Sequence, residues 1–283
     1  MIRGNMLLSF KGNIMSKSSK YILAAGCSFT DKDFWSPVMG RDFDCSFPKW
    51  PEILGEYLDL DVKNIGLCGV GNDYITSQLI QHILKDPTNI ELVVVGWTEI
   101  QRFGLLDIYR FNPMTSLYRP ENYEKFTKQT KAVIPLFKHL YGEFLVNRTF
   151  KDHTNLYTEQ VIYWFKQMWQ IQELCKALNI KFIMAPLCGN ISLEKYRQVE
   201  NSFDSEIPWT EVEWHIAYGR INALYDLDKK HYVGYPFLKS LHGFLLNDKI
   251  KGKEISDLDS HPNAEGHELI ARKYYEQYSK AYS

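Results

Sequence analysis

The sequence predicts an α/β protein, a three-layer α/β/α sandwich built on a doubly wound parallel sheet. Three observations carry this. The first hundred residues alternate strand, helix, strand, helix, strand, the pattern of parallel strands joined by crossover helices. Glu91-Leu-Val-Val-Val-Gly-Trp97 is a continuous, β-branched apolar run, as expected of a central strand buried on both faces. A long amphipathic stretch then leads into another apolar run, Asn179-Ile-Lys-Phe-Ile-Met-Ala185, which adds a further helix–strand unit.

Taken in order, residues 1–20 are expected to be a flexible N-terminal extension, with Met15-Ser-Lys-Ser-Ser-Lys20 reading as a natural start before the first strand. Tyr21 to Ala25 is that strand, and Gly26-Cys27-Ser28 ends it in a sharp turn that presents a hydroxyl. A loop rich in Asp, Phe and Trp follows, and then Pro48 to Leu58 shows helical spacing, with Pro51 tolerated in the first turn. Asp61 to Gly66 is a short strand and Gly66-Leu-Cys-Gly-Val-Gly71 a glycine-rich turn. Asn72 or Asp73 is expected to cap the next helix, which places Ile75, Leu79, Ile80, Ile83 and Leu84 on one face and stops before Pro87.

From about 103 to 157 the chain is aromatic, proline-punctuated and without a clear period, and is read as an insertion over the strand ends. Thr158 to Leu178 is the long amphipathic helix, carrying Val161, Ile162, Phe165, Met168, Trp169, Ile171, Leu174 and Cys175. A second irregular insertion spans about 190–255, with helical patches at Glu211–Leu224 and Pro236–Leu246. The loop Asp257 to His267 then precedes a final helix reaching about Ser279. Residues 21–283 thus read as one domain with two insertions.

Composition narrows the function. A 45% hydrophobic and 24% charged chain is an ordinary globular protein, and a net charge of -1 gives no electrostatic basis for nucleic-acid or anionic-membrane binding. No apolar run approaches the roughly 18 residues that span a bilayer, and the N-terminus lacks the apolar core and cleavage site of a signal peptide, so a cytoplasmic location is expected. Five scattered cysteines (Cys27, Cys45, Cys68, Cys175, Cys188) have neither zinc spacing nor a disulfide framework, and are read as reduced thiols. Neither a metal nor an organic cofactor is implied.

Ligands of open α/β sheets bind beyond the carboxyl ends of the strands. Four stretches fall there: Ser28 after strand 1, the glycine turn after strand 2, Gly96-Trp-Thr-Glu99 after strand 3, and the loop holding His261. A hydroxyl nucleophile, a base, a group to orient that base and donors for an oxyanion are what serine hydrolysis requires. For Ser28 alone the ordinary role is to cap a turn, and for His261 to cap a helix whose first turn would hold Pro262.

Ala25-Gly-Cys-Ser-Phe-Thr30, Asn64-Ile-Gly-Leu-Cys-Gly69 and Asp259-Ser-His-Pro-Asn-Ala-Glu-Gly-His267 together resemble the first, second and fifth blocks of the SGNH (GDSL-type) hydrolases, over roughly Tyr21 to Tyr278. The resemblance implies an SGNH- or flavodoxin-like fold with Ser28 as nucleophile, His261 as base and the Gly69 amide as oxyanion donor. The third and fifth blocks depart furthest from the pattern. Thr98 stands where the third block has an oxyanion-binding Asn, offering one donor on a shorter arm. Asn72, in Gly71-Asn72-Asp73, could substitute from the neighbouring loop. The family's acid position is Leu258, flanked by Asp257 and Asp259. Asp259 is preferred because residues two apart in an extended stretch point the same way, and Asp257 is the alternative. Cys27 replaces the usual Asp of the first block and could lie near Cys68.

The implied activity is a serine esterase or acyl hydrolase, with Tyr109, Phe111, Tyr118, Tyr123, Trp209 and Trp214 suggesting a carbohydrate O-acyl group; core packing is the ordinary use of such rings. Arg102 could hold an acidic substrate group or simply pair with Glu99. Two alternatives stay open: a structural or carbohydrate-binding module with its chemistry lost, for example of a viral particle, and an O-acyltransferase using the same triad. The oligomeric state is not legible.

Overall fold

A computed structural model describes residues 20–36, 38–40, 43–98, 153–188, 224–235 and 252–283, with the side chains of the helix that opens at His153 described from Ile162 onward. Residues 1–19, most of both insertions, Glu99, Arg102 and the six insertion aromatics lie outside the described residues.

Four parallel strands make the sheet: β1 (Tyr21–Gly26), β2 (Asp61–Asn64), β3 (Ile90–Trp97) and β4 (Lys181–Pro186), in the order β2-β1-β3-β4. β1 and β3 occupy the interior positions, which is why their residues are almost all buried, whereas β2 at the edge alternates between exposed and half-buried residues. The chain leaves β1 in one direction to reach β2 and returns past it to β3. Right-handed crossovers therefore send successive helices to opposite faces. Accordingly α1 (Trp50–Leu58) packs on the final helix α4 (Ala264–Tyr282), and α2 (Asn72–Lys85) on α3 (His153–Ala177). The predicted doubly wound α/β fold is the observed one, and the topological switch point lies between β1 and β3.

The α1–α4 layer is fastened by aromatic rings. Trp50 is fully buried and stacks on Tyr274 at 4.2 Å and 16°, while the Tyr274 hydroxyl donates to the Val95 carbonyl of β3 at 2.7 Å. Lys49, the N-cap of α1, offers no side-chain cap, so an orphan donor of the first turn is satisfied from another helix: the Trp50 amide donates to His267 Nδ1 at 3.2 Å. His267 is thus a cap for α1. Burial, with the charges of Lys49 and His261 nearby, depresses its pKa to about 3.

Local chemistry corrected several sequence expectations. α2 is capped by Gly71 with no side-chain bond, and Asn72 turns its carboxamide elsewhere. The loop before the last helix is a short antiparallel hairpin, β5 (Glu254–Ser256) and β6 (Asp259–Pro262). Pro262 ends β6 rather than opening the helix, because Asn263 is the N-cap and its Oδ1 accepts from the Gly266 amide at 3.0 Å. α3 starts earlier than expected, and Trp169 on it is partly exposed while Trp164 is buried.

The depressed pKa of His267 makes stability depend on pH. The unfolded chain takes up this proton near the ordinary value of 6.5, the folded chain only near 3, so stability present above 6.5 is lost as pH falls toward 3. The loss is on the order of 5 kcal/mol. Urea unfolding at pH 7 and pH 4 should show a flatter pH dependence for His267→Gln than for wild type.

Candidate active site

β1 delivers Ser28 by ending in a tight turn. The amides of Thr30 and Asp31 both return to the Cys27 carbonyl, at 2.8 and 3.0 Å. Only glycine fits at position 26, since a Cβ there would stand 2.1 Å from Thr30 Oγ1 and 2.8 Å from the Gly96 carbonyl. Ser28 at the tip is almost buried, at the switch point of the sheet.

The β5–β6 hairpin brings the other two groups. His261 Nε2 lies 2.9 Å from Ser28 Oγ, and His261 Nδ1 lies 2.5 Å from Asp259 Oδ1, which also accepts the His261 amide at 3.0 Å. An ionised carboxylate only accepts, so Nδ1 carries the proton and Nε2 is left to accept from the Ser28 hydroxyl. That is the tautomer a general base requires. Burial pushes the Asp259 carboxyl up, but hydrogen bonds from Ser36 and from the His261 ring and amide outweigh it and hold the group below its ordinary pKa. Asp257, the alternative acid, is exposed in the β5–β6 turn. Asp259 and His261 stand two residues apart on β6, and their side chains meet.

The glycine turn is stitched against β1. Ile65 and Leu67 amides donate to the Ala24 and Gly26 carbonyls at 2.8 and 3.0 Å, and Asn64 Nδ2 donates to the Thr30 carbonyl at 2.7 Å. Gly69 follows with φ +81°, a conformation that glycine adopts without strain. The Cys68 amide next to it donates to Asp31 Oδ2 at 2.8 Å.

Asn72 and Thr98 meet, in a way the sequence does not announce. Asn72 Oδ1 accepts the Thr98 amide at 3.0 Å and its Nδ2 donates to the Thr98 carbonyl at 3.2 Å. The buried carboxamide latches the start of α2 to the end of β3. Thr98 Oγ1 is itself buried and finds no hydrogen-bond partner among the described residues. A buried unsatisfied hydroxyl is costly unless something else uses it.

Residues of the loop after Ser28 complete the surroundings, and motif spacing did not single them out. Phe34 stacks on His261 at 4.3 Å and 29°, with Phe29 tilted against the same ring at 5.1 Å. Ser36, fully buried, donates to Asp259 Oδ2. The available signal was only the position of this Asp- and aromatic-rich loop directly after Ser28. Cys27, expected near Cys68, has its sulfur 3.2 Å from that of Cys188 beyond β4. Among the described residues no group of three His, Cys, Asp or Glu side chains could hold a metal ion, and no helix is long and apolar enough to cross a membrane.

No family model matches the sequence, and no curated protein matches it. Solved structures do. A putative lipolytic protein of the G-D-S-L family from Desulfitobacterium hafniense DCB-2 is 12% identical, with 91% of this chain and 99% of that one covered at a TM-score of 0.43. A GDSL-like lipase from Bacteroides thetaiotaomicron VPI-5482 is 13% identical over 94% and 90%, at 0.42. A catalytic mutant of Axe2, an acetylxylan esterase from Geobacillus stearothermophilus, is 14% identical over 92% and 94%, at 0.45. The chain resembles the SGNH (GDSL-type) hydrolases and diverges from their pattern at Thr98 and Leu258.

The Asn72 latch has a measurable worth. Asn72→Ala leaves the buried Thr98 amide and carbonyl unpaired and should lower stability by about 1–3 kcal/mol, read by thermal unfolding.

Proposed function

We propose that the protein is a serine esterase, or acyl hydrolase, of SGNH type. The observation that carries this is the unbroken line of hydrogen bonds from Asp259 through His261 to Ser28, with the imidazole proton on the side that leaves Nε2 basic. Ser28 Oγ attacks the ester carbonyl carbon and passes its proton to His261 Nε2. His261 returns that proton to the leaving alcohol, whose C–O bond breaks to give an acyl-serine. Water, deprotonated by His261, then releases the acid and restores Ser28. Asp259 holds the imidazole and stabilises its charged form throughout.

The oxyanion is received by the amides of Ser28 and Gly69 and by the Thr98 hydroxyl, whose lack of a partner among the described residues suits a donor reserved for substrate. Asn72 supports Thr98 through its backbone and keeps a second Nδ2–H as a further donor. For the substrate we favour an O-acylated carbohydrate: Trp35, 46% exposed and adjacent to the Phe34 that stacks on His261, is a ring suited to lie against a sugar face. A fold kept for binding, with catalysis lost, draws on the threonine at the Asn position. Transfer of the acyl group to a sugar hydroxyl uses the same triad with an alcohol in place of water.

Turnover of p-nitrophenyl acetate decides between these. Wild type should exceed Ser28→Ala by several orders of magnitude, and equal rates would favour the binding module. Asp259→Asn should lose on the order of 10³–10⁴ in kcat while Asp257→Asn keeps wild-type activity. Thr98→Val should lose about 10²–10³ with its fold intact. Added sugar alcohols that capture the acyl group in preference to water would identify a transferase.

A further inference from the structure

Ser36 lies 223 residues from Asp259 in sequence and is fully buried, yet its hydroxyl donates to Asp259 Oδ2, the carboxylate oxygen not used by His261. The same Ser36 oxygen accepts the Met39 amide at 2.9 Å. That amide occupies one lone pair, and the carboxylate can only accept, so the Ser36 proton has one direction to point. The two oxygens of Asp259 are thereby assigned: Oδ1 to the imidazole and backbone of His261, Oδ2 to Ser36. Asp259 is almost completely buried, so a carboxylate rotated out of this setting would find little water to replace the lost donor.

The neighbouring residues act on the rest of the site from the same short stretch. Asp31 accepts the Cys68 amide beside Gly69, and Phe34 stacks on His261. One loop, Asp31 to Ser36, therefore touches the oxyanion turn, the base and the acid.

Resting on the serine-hydrolase reading, we infer that Ser36 is a positioning residue of the reaction, a fourth member of the hydrogen-bonded line that fixes the Asp259 carboxylate and, through it, the tautomer and angle of His261. Its removal leaves a carboxylate with fewer donors, which holds a proton more tightly and draws a protonated imidazole more strongly. Protonation of the Asp259–His261 pair then begins at higher pH.

The test uses the full chain and p-nitrophenyl acetate, with wild type, Ser28→Ala, Ser36→Ala, Ser36→Cys and Ser36→Thr. Ser36→Ala should lower kcat about 10- to 100-fold with KM little changed, the size of a hydrogen bond to a charged group. The acid limb of its kcat/KM profile should move to higher pH. Ser36→Thr, which keeps the hydroxyl, should return the limb to the wild-type position. Ser36→Cys, near in volume but a weak donor, should follow Ser36→Ala and serves in its place should the alanine chain not fold. Limbs unmoved in both Ser36→Ala and Ser36→Cys, at any kcat, would overturn the inference. If wild type and Ser28→Ala turn over equally, the esterase reading fails by itself. The role of Ser36 is then read from the low-field proton resonance of His261 Nδ1–H, assigned by its loss in Asp259→Asn. That resonance should shift in Ser36→Ala and return in Ser36→Thr, and an unshifted resonance refutes it.

Discussion

The buried carboxylate of Asp259 is the interaction on which the site depends. An ionised group out of water is expensive unless every oxygen is occupied, and here three donors from two distant parts of the chain occupy them. Two of these come from His261 and one from Ser36. The charge can remain only where the β5–β6 hairpin is docked against the loop that follows β1. Electrostatic necessity thus does the work of a structural clamp: the hairpin cannot drift from the loop that holds Ser36 without leaving a carboxylate oxygen unpaired.

The sheet sets the frame for that clamp. Because β1 and β3 are adjacent and the chain departs from them in opposite directions, the ends of both strands open onto the same crevice. Ser28 and Thr98 sit at these two ends, and Asn72 bridges from the start of α2, after β2. α4 ties the remaining piece down. It is capped by Asn263 just after the hairpin, caps α1 through His267, and reaches β3 through Tyr274. The helix that follows the β5–β6 hairpin is also the helix that locks one face of the sheet.

Legibility from sequence followed the range of the forces involved. The β-branched run of β3 and the abrupt stop at Gly26 are local signals of burial and chain reversal, and both elements stand within about a residue of where the sequence put them. Asp259 was preferred over Asp257 on the two-residue period of an extended chain, a rule that needs no tertiary knowledge. Helix caps were less legible. Asn72 and Pro262 carry the right local chemistry for a helix start, but tertiary partners claimed the first and the hairpin the second. Ser36, Phe34 and the pairing of Cys27 with Cys188 were hidden, because each depends on contacts between segments that no spacing relates.

The distance between Ser28 and His261 along the chain has a consequence for biosynthesis. The two side chains touch but are separated by 233 positions. At a synthesis rate of about 5–20 residues per second, Ser28 emerges roughly ten to fifty seconds before His261. Throughout that interval β1 and the turn after it exist without the hairpin that orients them or the helix that covers α1. The contact between Ser28 and His261 can therefore form only late in synthesis. A nascent chain that stops short of the hairpin carries Ser28 but not the Asp259–His261 pair to which it is hydrogen-bonded.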